Sequence, residues 1–182
     1  FSDYIQPNKA LNSGELDANL FQHKIYMKKF AEQNGMDLTA LVPVPTAPMG
    51  LYSDKVKDLK DLPEGAEVTL PNDPSNAARA YALLAAANVI KIKPDTDVLK
   101  ITKNDVIENP KNLKFSPISL LNLNEAYKEK DLVFNYPTYI AKLNLTPGKD
   151  GLLVEDEKDS TFAVSLVARE DNKDSDAVKA LK

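Results

Sequence analysis

The stretch Glu67-Val-Thr-Leu70, Pro71-Asn-Asp-Pro-Ser-Asn76, Ala77-Ala-Arg-Ala-Tyr-Ala-Leu-Leu-Ala-Ala-Ala-Asn-Val-Ile90 decides the fold class. Its first four residues form a short run with β-branched Val68 and Thr69, which predicts a strand. Asp73 followed by Pro74 has the chemistry of a helix start, because an aspartate oxygen can accept an orphan backbone N–H while proline supplies no N–H and a preset φ. From Ala77 to Ile90 a strong helix former stands at almost every place. Strand, tight loop and helix therefore follow one another.

The same alternation runs outward in both directions. Upstream, Asn8 to Asn12 is a short helical piece closed by Ser13-Gly14, and Glu15 to Phe21 is a brief strand. Gln22 to Gln33 has Tyr26 and Phe30 four apart with Met27 and Ala31 beside them and Gly35 as the stop, the pattern of an amphipathic helix. Leu38 to Tyr52 is apolar but broken by Pro43, Pro45 and Pro48, which suits an irregular edge or hinge strand. Downstream of a polar turn at Leu59 to Gly65 and the opening stretch, Thr102 to Ile107 and Asn112 to Phe115 are short apolar runs. Ile118 to Lys128 is helical, Asp131 to Asn135 a strand, Tyr136 to Leu145 helical, Gly151 to Glu155 extended, and Thr161 to Arg169 a long β-branched strand. This order predicts an α/β fold with mainly parallel sheets. There is no internal repeat.

Composition narrows the function classes. The chain has 182 residues, 43% hydrophobic and 27% charged, in the ordinary range for a globular protein. No run approaches the roughly 18 to 20 consecutive apolar residues of a membrane-spanning helix. Twenty-three basic against 27 acidic residues give a net charge of -4, which argues against phosphate-backbone binding. Without cysteine there is no thiolate site and no disulfide. The single histidine, His23, has neither a histidine partner four residues away nor an acidic cluster near it, so no metal and no cofactor are expected. Neither a Gly-x-Ser-x-Gly elbow nor a Gly-rich phosphate loop occurs, and nothing supports catalysis. The chain begins at Phe1 inside a strand-like segment and stops at Lys182 inside a helical one, so both ends read as cut, with any signal peptide or lipid-bearing cysteine lying upstream.

What remains suits a zwitterion with an apolar tail. Arg79 lies about one and a half turns into a helix that follows a strand, where a guanidinium can clamp a carboxylate beside free N–H groups, or else sit as a solvated helix-face arginine. Tyr4, Phe21, His23 and Tyr26 fall at strand ends and a helix start, where they can wall an apolar slot or simply pack a core. Asn135 ends a short apolar strand, and strand ends are where open α/β sheets place ligands.

Five segments carry a resemblance: Phe1-Ser-Asp-Tyr4 with Gln6-Pro-Asn8; Gly14-Glu-Leu-Asp-Ala-Asn19 running into Phe21-Gln-His-Lys24; Pro48-Met-Gly-Leu-Tyr-Ser53; Pro71-Asn-Asp-Pro-Ser-Asn76 with Arg79; and Glu108-Asn-Pro-Lys-Asn-Leu-Lys-Phe115. In this order they resemble the NlpA lipoprotein family of methionine-binding proteins, over nearly the whole chain. The resemblance implies a type II periplasmic-binding-protein fold of two lobes with the ligand cleft between them. Lobe 1 would be residues 1–65 plus 136–182, lacking its first strand-helix-strand unit and its last helix, and lobe 2 residues 66–135. It implies an extracytoplasmic lipoprotein, held to the cell envelope by an N-terminal lipid anchor outside this chain, that captures L- or D-methionine by hinge closure and delivers it to the permease and ATPase of an ABC importer. Tyr4, Phe21, His23 and Tyr26 would line the apolar side, Arg79 would hold the carboxylate, Asn135 the amino end, and Asn76 would assist. No nucleic acid is implied as a partner.

The chain departs from the family in two places. Where the family often has an asparagine in the strand after Asp-Ser-Pro-Tyr, Asp159-Ser-Thr-Phe162 leads into Ala163 and Val164, and Asn135 is followed by Tyr136-Pro137 rather than two small residues. Both changes fall at the amino-group end, so a methionine-containing dipeptide or another amino acid is an alternative ligand. A surface interaction protein or adhesin that kept the fold is an alternative of a different kind.

Overall fold

The computed structural model describes residues 1, 3–44 and 48–182; Pro45 of the proline-broken stretch lies outside them. The chain folds as two compact units, Phe1–Ala47 with Glu157–Lys182, and Pro48–Asp156.

In the first unit the order is α1 (Gln6–Ser13), β1 (Ala18–His23), α2 (Lys24–Asn34), β2 (Leu38–Pro43), β10 (Val164–Arg169) and α7 (Asp176–Lys179). Both long helices stop as their glycines require: Gly14 (φ +85°) and Gly35 (φ +64°) take the left-handed conformation that costs an L side chain energy. Arg169 adds a second lock on α1, its Nη1 donating to the carbonyls of Leu11 and Leu16 at 2.8 and 2.9 Å. Leu11, Met27, Ala31 and Val167 form the core, with Leu16, Met36, Leu38 and Ala40 packed against it. Full burial of side chains like the leucine, methionine and valine stabilises by about 1.5 to 3 kcal/mol each.

The second unit holds β3 (Gly50–Tyr52), β4 (Glu67–Pro71), α3 (Pro74–Ala86), β5 (Lys91–Ile92), β6 (Val106–Glu108), β7 (Lys114–Ile118), α4 (Leu123–Glu129), β8 (Leu132–Asn135), α5 (Pro137–Ile140), α6 (Pro147–Asp150) and β9 (Leu153–Val154). Its main sheet has the order β7-β4-β8-β3-β9, and β5 pairs with β6. Helix α3 packs on β4, and α4 on β8 and β4; Val68, Leu70, Leu132 and Phe134 of the strands and Ala78, Ala80, Leu84 and Leu123 of the helices are buried.

Three expectations are corrected. Sheets are parallel only at β7-β4-β8; β3 runs antiparallel to β8 and β9, and β10 antiparallel to β1 and β2. The helix α2 carries the chain from β1 back to start β2 in the same direction, as a crossover must, but the returning β10 fills the gap between them. The units also differ from the expected lobes, because residues 48–65 and 136–156 cluster with 66–135. The cause is β3, which pairs Gly50 with Asn135, Leu51 with Phe134 and Tyr52 with Val133. Finally, α3 ends at Ala86 rather than Ile90: Asn88 turns left-handed (φ +56°), and Val89 N returns to the Leu84 carbonyl at 3.0 Å.

Candidate ligand-binding site

One group of the expected residues is built around the start of α3. Asp73 caps the helix, accepting from Asn76 N at 3.0 Å, and Ser75 Oγ donates to it at 2.7 Å. The Asn76 amide also donates to both Asp73 oxygens at 3.1 and 3.0 Å, which leaves its Oδ1 to accept from the Tyr136 hydroxyl at 3.0 Å. Arg79, one turn further on, is only 3% exposed. Its Nε and Nη2 both donate to the carboxylate of Glu155, and its Cζ lies 5.7 Å from the centre of the Tyr136 ring. Glu155 in turn accepts from Met49 N at 2.8 Å. Arg79 is therefore no solvated helix-face arginine; it is a buried cation whose forked Nε/Nη2 edge holds a carboxylate of its own chain.

Asn135, at the end of β8, is buried and uses both ends of its amide: Oδ1 accepts from Tyr136 N at 2.8 Å and Nδ2 donates to Asn124 Oδ1 at 2.8 Å. An amide carries a second donor and a second lone pair, so these bonds do not exhaust it. Burial pushes the Tyr136 phenol above its usual value despite the opposing pull of Arg79, so the phenol stays a protonated donor to Asn76 at neutral pH.

The other group belongs to the first unit. Tyr4, Phe21 and Tyr26 lie with ring centres 5.9 to 6.4 Å apart, and His23 meets Tyr26 edge-on at 6.3 Å. His23 caps α2, its Nδ1 accepting from Tyr26 N at 3.0 Å, which assigns the proton of the neutral ring to Nε2. The Tyr26 hydroxyl donates to the Tyr4 carbonyl at 3.2 Å. The four aromatic residues expected to act together are thus assembled by one strand end, one helix start and the segment before α1.

The NlpA lipoprotein family model matches this chain over residues 1–182. The chain belongs to the NlpA lipoprotein family. It is 41% identical over 182 residues to the D-methionine-binding lipoprotein MetQ of Escherichia coli strain K12, covering 98% of this chain and 66% of that protein. The chain thus spans about two thirds of the length of that curated relative. Among solved structures, a nutrient binding protein from Burkholderia cenocepacia bound to methionine is 40% identical with a TM-score of 0.93, over 100% of this chain and 76% of that one. An ABC transporter periplasmic substrate-binding protein from Coxiella burnetii is 37% identical with a TM-score of 0.94, over 100% and 75%. This member of the NlpA family therefore shares the mixed α/β fold of periplasmic substrate-binding proteins, and the relatives are named as binding proteins rather than enzymes.

Sequence reading missed three neighbours of these groups. Phe162 stands edge-on to His23 at 5.2 Å; Tyr136, noted only as a departure from the NlpA pattern, bridges Asn76 and the Arg79 cation. Glu155 had no local signal, since it lies 76 residues from the arginine it holds. Among the described residues no cluster of His, Asp and Glu suits a metal ion.

Proposed function

We propose that this chain is the ligand-binding part of an extracytoplasmic lipoprotein that captures methionine and delivers it to the permease and ATPase of an ABC importer, without catalysing a reaction. The observation that carries this reading is the likeness, over the whole chain, to a solved nutrient binding protein bound to methionine. The residues supply the matching chemistry. Arg79, with Asn76 and Asn135, suits the charged head of an amino acid, and Tyr4, Phe21, His23 and Tyr26 suit a thioether tail. A sulfur against an aromatic ring contributes about 0.3 to 1.5 kcal/mol, and a guanidinium–carboxylate pair supplies orientation. The full protein belongs in the cell envelope, held to the outer face of the membrane by an N-terminal lipid, as the lipoprotein names of its relatives suggest.

A second ligand, a methionine-containing dipeptide, is favoured by Val164. It is the cross-strand partner of His23, and directly opposed strand residues project to one face, so an apolar group stands beside the imidazole where much of the family offers an amide.

The experiment is mass spectrometry of small molecules released from the purified protein, then calorimetric titration of the emptied protein with L-methionine, D-methionine and glycyl-methionine. Released methionine and its tight rebinding support the first reading; heat only with glycyl-methionine supports the second. No released ligand and no heat with any of the three would sink both.

A further inference from the structure

Residues three apart on a regular strand point to opposite faces. Asn19 and Gln22 break this rule: both are buried, at 8% and 3% exposure, and Gln22 Nε2 donates to Asn19 Oδ1 at 3.0 Å. They converge on Asn8 of α1, which is wholly buried. Asn8 Oδ1 accepts from Asn19 Nδ2 at 2.9 Å and from Gln22 Nε2 at 2.5 Å, and Asn8 Nδ2 donates to Gln22 Oε1 at 2.8 Å. Asn19 Nδ2 also reaches the Pro7 carbonyl at 3.2 Å.

A bulge makes this possible. Leu20 pairs with Leu166 and Gln22 with Ser165, so Phe21 is an extra residue with no partner on β10. In an unbulged strand Asn19, Phe21 and His23 would share one face, and Gln22 would share the face of Leu20, which is 53% exposed. Such a strand could not both bury Asn19 with Gln22 and send Phe21 and His23 to Tyr26. The bulge does both. Bulges re-aim side chains in this way, and a buried amide network holds only while every member is satisfied.

We infer that the Asn8–Asn19–Gln22 amide triad is a positioning device for ligand selection: it locks the bulge at Phe21 and so sets the aim of the Phe21 and His23 rings. This rests on the proposed function, in which those rings pack against the ligand's side chain. The triad residues need not touch the ligand. Their effect is on which side chain fits, since one methylene in an apolar slot is worth about 10- to 200-fold in discrimination.

The test compares wild type, Gln22→Met, which keeps length but removes the amide, and Leu20→Thr, a control on the same strand outside the triad. Each is titrated with L-methionine and L-ethionine, one methylene longer, beside far- and near-ultraviolet circular dichroism. The expected result is a folded Gln22→Met protein with methionine affinity down about tenfold, a methionine-to-ethionine preference down several-fold, and an altered aromatic dichroism band, while Leu20→Thr matches wild type. A lowered melting temperature with the preference and the aromatic band unchanged would overturn the inference, because a merely structural triad does that. If Gln22→Met does not fold, Asn19→Ser is read by the same criteria. If wild type binds no amino acid, the proposed function fails on its own, and the aromatic band of the folded variant decides the triad's role: altered supports it, unchanged overturns it.

Discussion

Arg79 and Glu155 meet through both Nε and Nη2 of the guanidinium, with the arginine side chain 2% and the glutamate side chain 17% exposed. Removing one partner of a buried pair strands the other charge, at a cost of about 3 to 5 kcal/mol. Glu155→Gln and Arg79→Met should each lower stability strongly, and the double variant should lose much less than the sum. A double-mutant cycle by urea denaturation measures this; additive losses would mean the two residues do not depend on each other. Arg79→Met should also abolish methionine binding in calorimetry.

His23 has two separable jobs. Its Nδ1 caps α2, and its ring stands among Tyr26 and Phe162. Asparagine can cap but cannot supply the ring. His23→Asn should therefore keep most of the stability while weakening methionine binding, whereas His23→Ala should lose about 0.5 to 2 kcal/mol of cap energy as well. Equal melting temperatures for the two variants would remove the capping role.

Asp131 ties the start of β8 to the start of β4, accepting from Glu67 N at 2.8 Å and from Lys55 Nζ at 3.1 Å. The Glu67 N–H, with help from Lys55, holds its carboxyl below the usual aspartate value. A depressed folded-state value means that this contribution is fully present above the unfolded value, about pH 4, and is lost as pH falls through the folded one. Stability measured by denaturant titration from pH 7 to pH 3 should decline at the acid end, and Asp131→Asn should flatten that decline while lowering stability at pH 7. An unchanged slope in the variant would clear Asp131 of the effect.

Val164 is the place to alter ligand choice. Opposite His23 on β10, Val164→Asn would restore an amide where the family often carries one. Free L-methionine should then bind about tenfold more tightly relative to glycyl-methionine. A ratio that does not move in paired titrations would show that position 164 plays no part in ligand choice.

Much of the secondary structure was legible because it is local. The Asp73-Pro74 helix start, the amphipathic helix expected over Gln22 to Gln33 with Tyr26 and Phe30 four apart, and the stops at Gly14 and Gly35 all depend on atoms within about one helical turn. Phe21, His23 and Tyr26 come together for the same reason, since a strand end and a helix start adjoin in the chain, whereas Tyr4 joins them only through the fold. Val164 and Tyr136 stood out as departures, although only the fold showed that one opposes His23 and the other bridges Asn76 and Arg79.

The remaining relationships span long stretches of chain, and hydropathy periods carry no information about them. Apolar alternation marks a strand without naming its neighbour or direction, which is why β10 was not foreseen between β1 and β2, nor β3 beside β8. Arg79 and Glu155 attract each other only once β9 is paired with β3. The bulge at Phe21 exists because α1 delivers Asn8 to a place where two amides three residues apart can both reach it. By itself the sequence determined the start of α3, the glycine stops of α1 and α2 and which residue types were available to a ligand; tertiary structure decided which of them share a face, because that depends on strand register, bulges and hydrogen bonds closed between distant segments.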